Sequence, residues 1–452
     1  MKTVNPVTNH LVAEFEEHSE QYVISALERA QDRFSSWRLR DYKFRASLFR
    51  DLSTLLKDRK NELARLMALE MGKVLPEGIA EILKCASVCE YYAEHAEKML
   101  SNEPLKPENG QAFISYQPLG IILAIMPWNF PFWQVFRFAV PTLMAGNTAI
   151  LKHASNVPQC AKAIEELFAD AGFLPGVFQS LLIGSERVAN LIDDNRVKAV
   201  SLTGSEYAGS KVAEAAGKNI KPSILELGGS DPFIVLEDVD VDKTARVAAK
   251  ARMINCGQSC IAAKRFIVHA KVYDQFLKRF TSFMSAYRLG DPLEAGTKCG
   301  PMASVSLMEE LDKQVKQAIQ FGAQIELGGH PSALGGAFYE PTVLTNITQE
   351  MNAFHEELFG PVALVFKIKN YEEAIELANS TKFGLGGSVW SSDKQRAMSI
   401  ARSIETGAVF INEMTASQAS LPFGGIKSSG YGRELSHLGI KAFTNQKTIY
   451  LA

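Results

Sequence analysis

Two cysteines stand four positions apart in the segment NCGQSCIAAKR, at Cys256 and Cys260. Such a pair can form a disulfide, supply two metal ligands, or contain one nucleophilic thiol beside an inert neighbour. The chain lacks the paired C-x-x-C or His-rich spacing of a zinc site, so a metal centre is not expected. The N-terminus has no apolar run typical of a signal peptide, so we expect a cytoplasmic location, where the six cysteines stay reduced.

Two polar side chains follow apolar runs in positions suited to chemistry. Asn129 stands between two prolines in MPWNFP, and Glu226 ends the apolar run of LELGG. If both runs are strands of a parallel sheet, their carboxyl ends present the amide and the carboxyl group to a crevice. A third segment, LTGSEYAG, reads as a strand followed by a helix that begins at Ser205. Backbone N–H groups at that helix terminus could bind a phosphate, although Gly-Ser is also a common helix cap.

The elements that must position these groups follow from hydrophobic periodicity. Residues 1 to 100 are predicted to be mostly helical, and the apolar stretch 120–151 divides into strand, helix and strand rather than a membrane span. Short apolar runs then alternate with helices, which indicates parallel sheets built from β-α-β units. The strand-like segments 111–117 and 444–451 match neither series and are predicted to form a small separate sheet.

Length and composition limit the classes of function. A chain of 452 residues is expected to contain two or three domains. The composition is that of an ordinary globular protein, with 46% hydrophobic and 22% charged residues. A net charge of −2 gives no electrostatic reason to expect a nucleic acid or an anionic membrane as partner.

Several motifs in a fixed order resemble the aldehyde dehydrogenase superfamily. They are MPWNFP, LTGSEYAG, LELGG, NCGQSC, EELFGP and PFGGIKSSGYGRE, and the pattern is most similar to the shorter bacterial succinate-semialdehyde dehydrogenases. The resemblance implies an α/β protein with a Rossmann-like cofactor domain (1–108 and 120–228) and an α/β catalytic domain (229–428). It also implies a small β oligomerisation element (109–119 and 436–452) and a homodimer or homotetramer.

The resemblance assigns the catalytic roles. Cys260 would be the nucleophile that adds to an aldehyde, and Cys256 a packing neighbour, with a reversible disulfide as the minor alternative. Asn129 and the backbone N–H of Cys260 would stabilise the oxyanion, and Glu226 would activate the water that hydrolyses the thioester.

A nicotinamide cofactor is also implied. Glu357 would bind the nicotinamide ribose, Phe359 would pack near the ring, and Lys152 would face the adenosine ribose. Ser155 stands where many NAD-preferring relatives have Glu, so NADP is favoured slightly over NAD. The remaining cofactor-binding residues implied by the resemblance are Pro127, Trp128, Thr203, Gly204, Ser205, Leu227 and Gly228.

The substrate prediction depends on NFPFWQVFRFAV, an apolar helix in which Arg137 is the only charge. Trp133 and Arg137 share one helical face, and a desolvated guanidinium needs an anion, so we expect it to bind a substrate carboxylate. The alternative is an Arg137 that pairs with a distant Asp or Glu or reaches solvent. By resemblance, Ser259 and Ser417 would add hydroxyl contacts to succinic semialdehyde or, second, glutaric semialdehyde.

Other functions remain open at this point. A coenzyme A-acylating enzyme would pass the thioester to a thiol, although Glu226 favours hydrolysis. A non-catalytic relative or a cysteine hydrolase explains fewer of the motifs.

Overall fold

The computed structural model describes residues 1–452. The first hundred residues form a hairpin and three long helices. Their bounds are β1 (Lys2–Asn5), β2 (His10–Glu14), α1 (Glu20–Trp37), α2 (Tyr42–Met71) and α3 (Leu75–Met99). The hairpin departs from the mainly helical prediction for this region. It is held to α2 by Thr3, whose buried hydroxyl donates to Glu70 Oε1 at 2.7 Å.

A six-stranded sheet with helices on its faces follows. It is parallel except for one antiparallel edge strand, β17, and its order is β17-β9-β8-β5-β6-β7. The strands are β5 (Ile121–Met126), β6 (Thr148–His153), β7 (Phe178–Ser180), β8 (Val197–Thr203), β9 (Ser223–Glu226) and β17 (Gly430–Tyr431). The connecting helices are α4 (Trp133–Met144), α5 (Pro158–Asp170), α6 (Val188–Asp193) and α7 (Glu206–Lys218), with a 3-10 turn at Ser185–Arg187. The predicted strand-helix-strand division of residues 120–151 is therefore confirmed.

The second series forms a seven-stranded sheet around its own hydrophobic core. Six strands are parallel and β12 is an antiparallel edge, in the order β12-β13-β14-β11-β10-β15-β16. The strands are β10 (Pro232–Val235), β11 (Arg265–His269), β12 (Gln324–Leu327), β13 (Thr342–Thr345), β14 (Val362–Ile368), β15 (Gly386–Trp390) and β16 (Ala408–Ile411). The helices are α8 (Val241–Met253), α9 (Tyr273–Ser285), α10 (Val305–Gln320), α11 (Asn352–His355), α12 (Tyr371–Asn379) and α13 (Lys394–Ser403), with a left-handed turn at Ile254–Gly257 and a 3-10 turn at Lys427–Ser429.

The strand-like segments 111–117 and 444–451 pair with each other in a small separate sheet, as predicted. β4 (Gln111–Pro118) and β18 (Thr444–Leu451) are antiparallel along their whole length, and β3 (Glu103–Leu105) adds a third strand. The segment 436–452 is not all strand, because it begins with helix α14 (Ser436–Lys441). The sequence SHLGIK buries Ser436, Gly439 and Ile440, a helical spacing that a strand would not allow.

No helix is both long and apolar enough to cross a membrane. No cluster of three or more His, Cys, Asp or Glu side chains is arranged to hold a metal ion.

Candidate active site

The carboxyl ends of neighbouring strands bring the predicted residues to one edge of the six-stranded sheet. Thr203 at the end of β8 is the register partner of Glu226 at the end of β9, and the N–H of Gly204 donates to the Glu226 carbonyl at 3.0 Å. On the other side of β8, Leu202 pairs with Ile125 of β5, so Pro127 and Trp128 emerge beside them. The carboxyl edge of this sheet is therefore where the sequence predicted a crevice lined by residues at the strand ends.

The cysteine loop lies against this edge in a strained conformation. Three successive residues, Asn255, Cys256 and Gly257, have positive φ angles of 53°, 54° and 73°. Asn and Gly tolerate the left-handed region best, and a Cβ on Gly257 would lie 2.2 Å from the carbonyl oxygen of Gly360. The NCG sequence thus allows the tight turn that presents the following Gln258–Cys260 segment.

The two cysteines of this loop have different surroundings. Cys256 is buried in the core of the second sheet, where its sulfur lies 3.2 Å from the sulfur of Cys299. Cys260 is half-buried and lines a cavity. All six cysteines are free thiols in the structure. Cys260 is the thiol positioned to meet a small molecule.

Asn129 is fixed beside the same loop. Its side-chain N–H donates to the Gln258 carbonyl at 3.1 Å, and its own carbonyl accepts bonds from Lys73 and from the Asn255 side chain, both at 2.8 Å. The Asn129 amide therefore contacts the loop two residues before Cys260. This placement agrees with an oxyanion role beside the thiol.

A buried ion pair that the sequence analysis missed supports Asn129. Lys73 pairs with Glu81 of α3, and the Glu81 carboxylate also accepts from the backbone N–H groups of Phe132 and Trp133 at 2.9 Å. Glu81 thereby caps the start of α4, where free N–H groups favour an anion. One feature of the sequence could have revealed this pair. Glu81 lies on the apolar stripe of α3, between the buried residues Gly78 and Ile82, where a charged side chain is unusual.

Glu226 is buried without a hydrogen-bond partner on either carboxylate oxygen. Burial raises its pKa to about 8, an effect that Arg137 opposes and Glu434 strengthens. A strand-end glutamate with a purely structural role would be expected to have a hydrogen-bonded cation. An unpaired carboxyl group with a pKa near neutrality is instead suited to take a proton from water.

The surroundings of Cys260 favour the thiol over the thiolate. Burial raises its pKa to about 12, partly offset by the positive charges of Arg137 and Lys264, while Glu357 and Glu226 raise it further. Because only the thiolate is an effective nucleophile, Cys260 has to lose this proton before it attacks a substrate.

The cavity beside Cys260 has a volume of about 120 Å³. It holds a small molecule rather than a bulky one. All four predicted substrate-binding residues line it together with Cys260: Trp133, Arg137, Ser259 and Ser417. Apolar walls are contributed by Phe130, Ile254, Ile261, Met414 and Phe423.

Arg137 already has an anionic partner. Its Nε faces the buried carboxylate of Glu434, its Nη2 donates to Thr203 Oγ1 at 3.2 Å, and its guanidinium lies 4.5 Å from the ring centroid of Phe423. The alternative considered from the sequence, a distant acidic partner, is therefore realised by Glu434. A role for Arg137 toward the substrate stays a prediction, since the residue does line the cavity.

A second cation in the cavity wall, Lys84, was not identified from the sequence. It extends from α3 and donates to Ser417 Oγ at 2.7 Å, with its ammonium 4.1 Å from the ring centroid of Trp133. Lys84 forms no ion pair with a carboxylate. Burial, and to a smaller extent the charge of Arg137, lower its pKa to about 8.

A larger groove of about 670 Å³ adjoins the edge of the sheet. Ser205, Gly228, Glu357 and Phe359, all predicted to bind the cofactor, line it. Ser205 is the N-cap of α7, as the sequence indicated, and its hydroxyl accepts from the Ala208 N–H at 3.2 Å. The helix terminus can receive a phosphate.

Glycine allows a close approach inside the groove. A Cβ on Gly228 would lie 2.5 Å from Glu357 Oε2. Glu357 Oε1 is held at 3.1 Å by both Lys264 and the Gly229 N–H. Lys264 also donates to the Ser259 and Cys260 carbonyls, so one ammonium joins the groove to the nucleophile loop.

Aromatic rings flank the junction of groove and cavity. Trp128 and Phe359 meet edge to face with centroids 5.8 Å apart. Leu227 packs on α7 beside Gly209, where a Cβ would lie 2.6 Å from a Leu227 methyl group. The residues in place at this junction fit a planar ring and a ribose.

Lys152 lies near the end of β6, next to β5, and Ser155 follows in the turn after this strand; neither residue lines either cavity. Lys152 is buried, which lowers its pKa, although Glu186 and Glu17 oppose that effect. Ser155 is exposed and does not cap α5, whose N-cap is Val157. Its hydroxyl is therefore free to contact a ligand.

Comparison with known proteins agrees with this geometry. The sequence profile of the Aldehyde dehydrogenase family matches residues 1–449. The chain is 51% identical over 450 residues to a probable succinate-semialdehyde dehydrogenase [NADP(+)] of Synechocystis sp., covering 100% of this chain and 99% of that protein. It is 49% identical over 453 residues to the succinate-semialdehyde dehydrogenase [NADP(+)] of Mycobacterium avium, covering 99% and 96% of the two chains.

A solved structure is similar over the whole chain. The succinic semialdehyde dehydrogenase of Streptococcus pyogenes, in complex with NADP+ as the cofactor, superimposes with a TM-score of 0.98 at 40% identity. The match covers 100% of this chain and 99% of that one. The predicted fold class is therefore confirmed.

Proposed function

The chain belongs to the aldehyde dehydrogenase family, and we propose that it oxidises succinic semialdehyde to succinate with NADP as the hydride acceptor. One observation carries the choice of substrate. The cavity that contains Cys260 is small, and its wall includes the hydrogen-bond donors Lys84, Arg137 and Trp133. Such a wall favours an anionic end group on a short aldehyde.

The reaction divides into two steps. In the first, Cys260 loses its proton to solvent, its thiolate adds to the aldehyde carbon, and Asn129 with the Cys260 N–H stabilises the resulting oxyanion. When bound, NADP supplies the acceptor for the hydride that leaves this carbon. The oxyanion collapses to a carbonyl as the hydride leaves, and the acyl group remains on Cys260 as a thioester.

In the second step, Glu226 removes a proton from water, which attacks the thioester. The bond between the acyl carbon and the Cys260 sulfur breaks, the Cys260 thiolate leaves, and succinate forms. Glu226 and the new carboxyl group each release one proton of the water to solvent. The unpaired Glu226 carboxyl group supports hydrolysis rather than transfer to coenzyme A. Product analysis with and without coenzyme A distinguishes the two outcomes.

Residues in the groove fit the cofactor. Glu357, held by Lys264 and the Gly229 N–H, is placed to bind ribose hydroxyls, and Phe359 to pack against the ring. The N-terminus of α7 is placed to receive a phosphate. Ser155 supports NADP, because a hydroxyl donates to a 2′-phosphate that a Glu would repel.

The test is an aldehyde panel with NAD and NADP, in which kcat/KM is measured for each pair. We expect succinic semialdehyde with NADP to give the highest value. Glutaric semialdehyde is the second substrate candidate, because it differs by one methylene. A wild type that oxidises butanal as efficiently as succinic semialdehyde would contradict the proposed substrate.

A further inference from the structure

We propose that Lys84, together with the Ser417 hydroxyl, is the site that holds the distal carboxylate of the substrate. The inference rests on the proposed function and assigns the anion to Lys84 rather than primarily to Arg137. It follows from how the polar groups of the cavity are already paired.

The first argument is the charge balance of the cavity wall. Arg137 is neutralised by Glu434, which is buried opposite its Nε. Lys84 has no carboxylate partner, and its one polar contact is a neutral hydroxyl. A cation in a largely enclosed site is stabilised by an anion, and no protein group provides one. Lys84 is therefore the uncompensated positive charge of the wall.

The second argument is the hydrogen-bond arrangement at Ser417. Its Oγ accepts one bond from Lys84 Nζ at 2.7 Å and one from Trp133 Nε1 at 3.0 Å. These bonds occupy both acceptor positions of the hydroxyl, which leaves its own proton to be donated. The Ser417 proton and the remaining Lys84 protons have no protein acceptor. A carboxylate, which only accepts, fits a group of donors of this kind.

The third argument is rigidity. The Lys84 ammonium is positioned by the Trp133 ring, 4.1 Å from its centroid, as well as by Ser417. Trp133 is buried at the start of α4, whose first N–H groups are fixed by Glu81. An ammonium held on two sides loses little freedom when an anion binds.

The experiment compares Lys84→Gln, Lys84→Arg and wild type on succinic semialdehyde and on butanal, which has four carbons but no carboxylate. Lys98→Gln is the matched control, since Lys98 is an exposed lysine on the same helix. We expect Lys84→Gln to raise KM for succinic semialdehyde by at least about 30-fold, with kcat changed far less and butanal affected far less. Lys84→Arg should recover much of the loss.

The pH dependence of KM in the wild-type enzyme tests the same assignment and does not require that a substituted chain folds. Lys84 is faced by Glu81 and Cys85 on its own helix, by Arg137 of α4 and by Cys260 of the loop. With a pKa of about 8, Lys84 loses its charge above that pH, so the ratio of KM for succinic semialdehyde to KM for butanal should rise there, whereas titration of Glu226 acts on both aldehydes.

The outcomes separate the two proposals. A wild type without preference for succinic semialdehyde overturns the proposed function. A wild type with that preference, retained in Lys84→Gln, overturns only the Lys84 assignment. Equal losses on both aldehydes would show that Lys84 is structural, which also overturns it.

Discussion

The sulfur atoms of Cys256 and Cys299 lie 3.2 Å apart in the core of the second sheet, whereas Cys260 lines the small cavity that also contains Arg137 and Ser417. The four-residue spacing of the loop therefore separates a packing thiol from a reactive one. Because Asn255 to Gly257 turn in the left-handed region, Cys256 points away from the segment that carries Cys260.

The first prediction follows from this separation. Cys260→Ala should abolish hydride transfer, because no other thiol reaches the cavity. Cys256→Ala should keep its turnover and lose about 1 kcal/mol of stability through poorer packing. Reduction of NADP, followed by absorbance, checks both variants. Turnover by Cys260→Ala at the wild-type rate would refute the assignment of the nucleophile.

The second prediction concerns the pH dependence of thioester hydrolysis. Burial raises the pKa of Glu226 to about 8, so the carboxyl group is mostly protonated below that pH and mostly ionised above it. A general base acts in its ionised form, and the rate of hydrolysis should therefore rise through about pH 8. Single-turnover release of succinate measures this step. A rate that is flat or falls over the same range argues against Glu226 as the base.

Cofactor preference gives the third prediction. Ser155 is exposed, so Ser155→Glu should fold normally while its carboxylate repels a 2′-phosphate. We expect the ratio of kcat/KM for NADP to that for NAD to fall by at least about tenfold. Ser155→Ala is the matched control and should change the ratio less, since it removes a hydrogen bond without adding a charge. An unchanged ratio in Ser155→Glu would mean that the phosphate binds elsewhere.

The Arg137–Glu434 pair gives the fourth prediction. Arg137→Met leaves a buried carboxylate without its cation, which should cost about 3–5 kcal/mol and lower Tm. Adding Glu434→Gln removes the second charge and should restore much of the lost stability. Thermal unfolding of the single and double variants measures the coupling. A single variant with the wild-type Tm would show that the pair contributes little.

Residues at strand ends were predictable, and residues that meet through packing were not. Thr203 and Glu226 end apolar runs, and parallel strands bring their ends to one edge, so their meeting follows from the pattern. Lys84 lies on a helix that reads as an ordinary amphipathic segment. Its contact with Ser417 depends on how α3 packs against α4 and on a loop far along the chain.

Dependence on tertiary packing also explains why the sequence did not predict the partner of Arg137 or the N-terminal hairpin. Glu434 is the last residue of the motif PFGGIKSSGYGRE, but the motif does not reveal its partner, because the pairing with Arg137 requires β17 to bring this part of the chain back to the first sheet. The N-terminal hairpin has a mostly exposed second strand, so its sequence lacks the alternation that indicates a half-buried strand. Thr3 anchors the hairpin through a single tertiary contact to Glu70.

The central claim is that Cys260 carries the acyl group and that Glu226 acts only afterwards. It is tested most directly by mass spectrometry of Glu226→Gln after mixing with succinic semialdehyde and NADP. We predict a stoichiometric burst of NADPH and a succinyl group on Cys260, located by fragmentation of the peptide that also contains Cys256. A burst without an adduct, or an adduct on Cys256, would contradict the account.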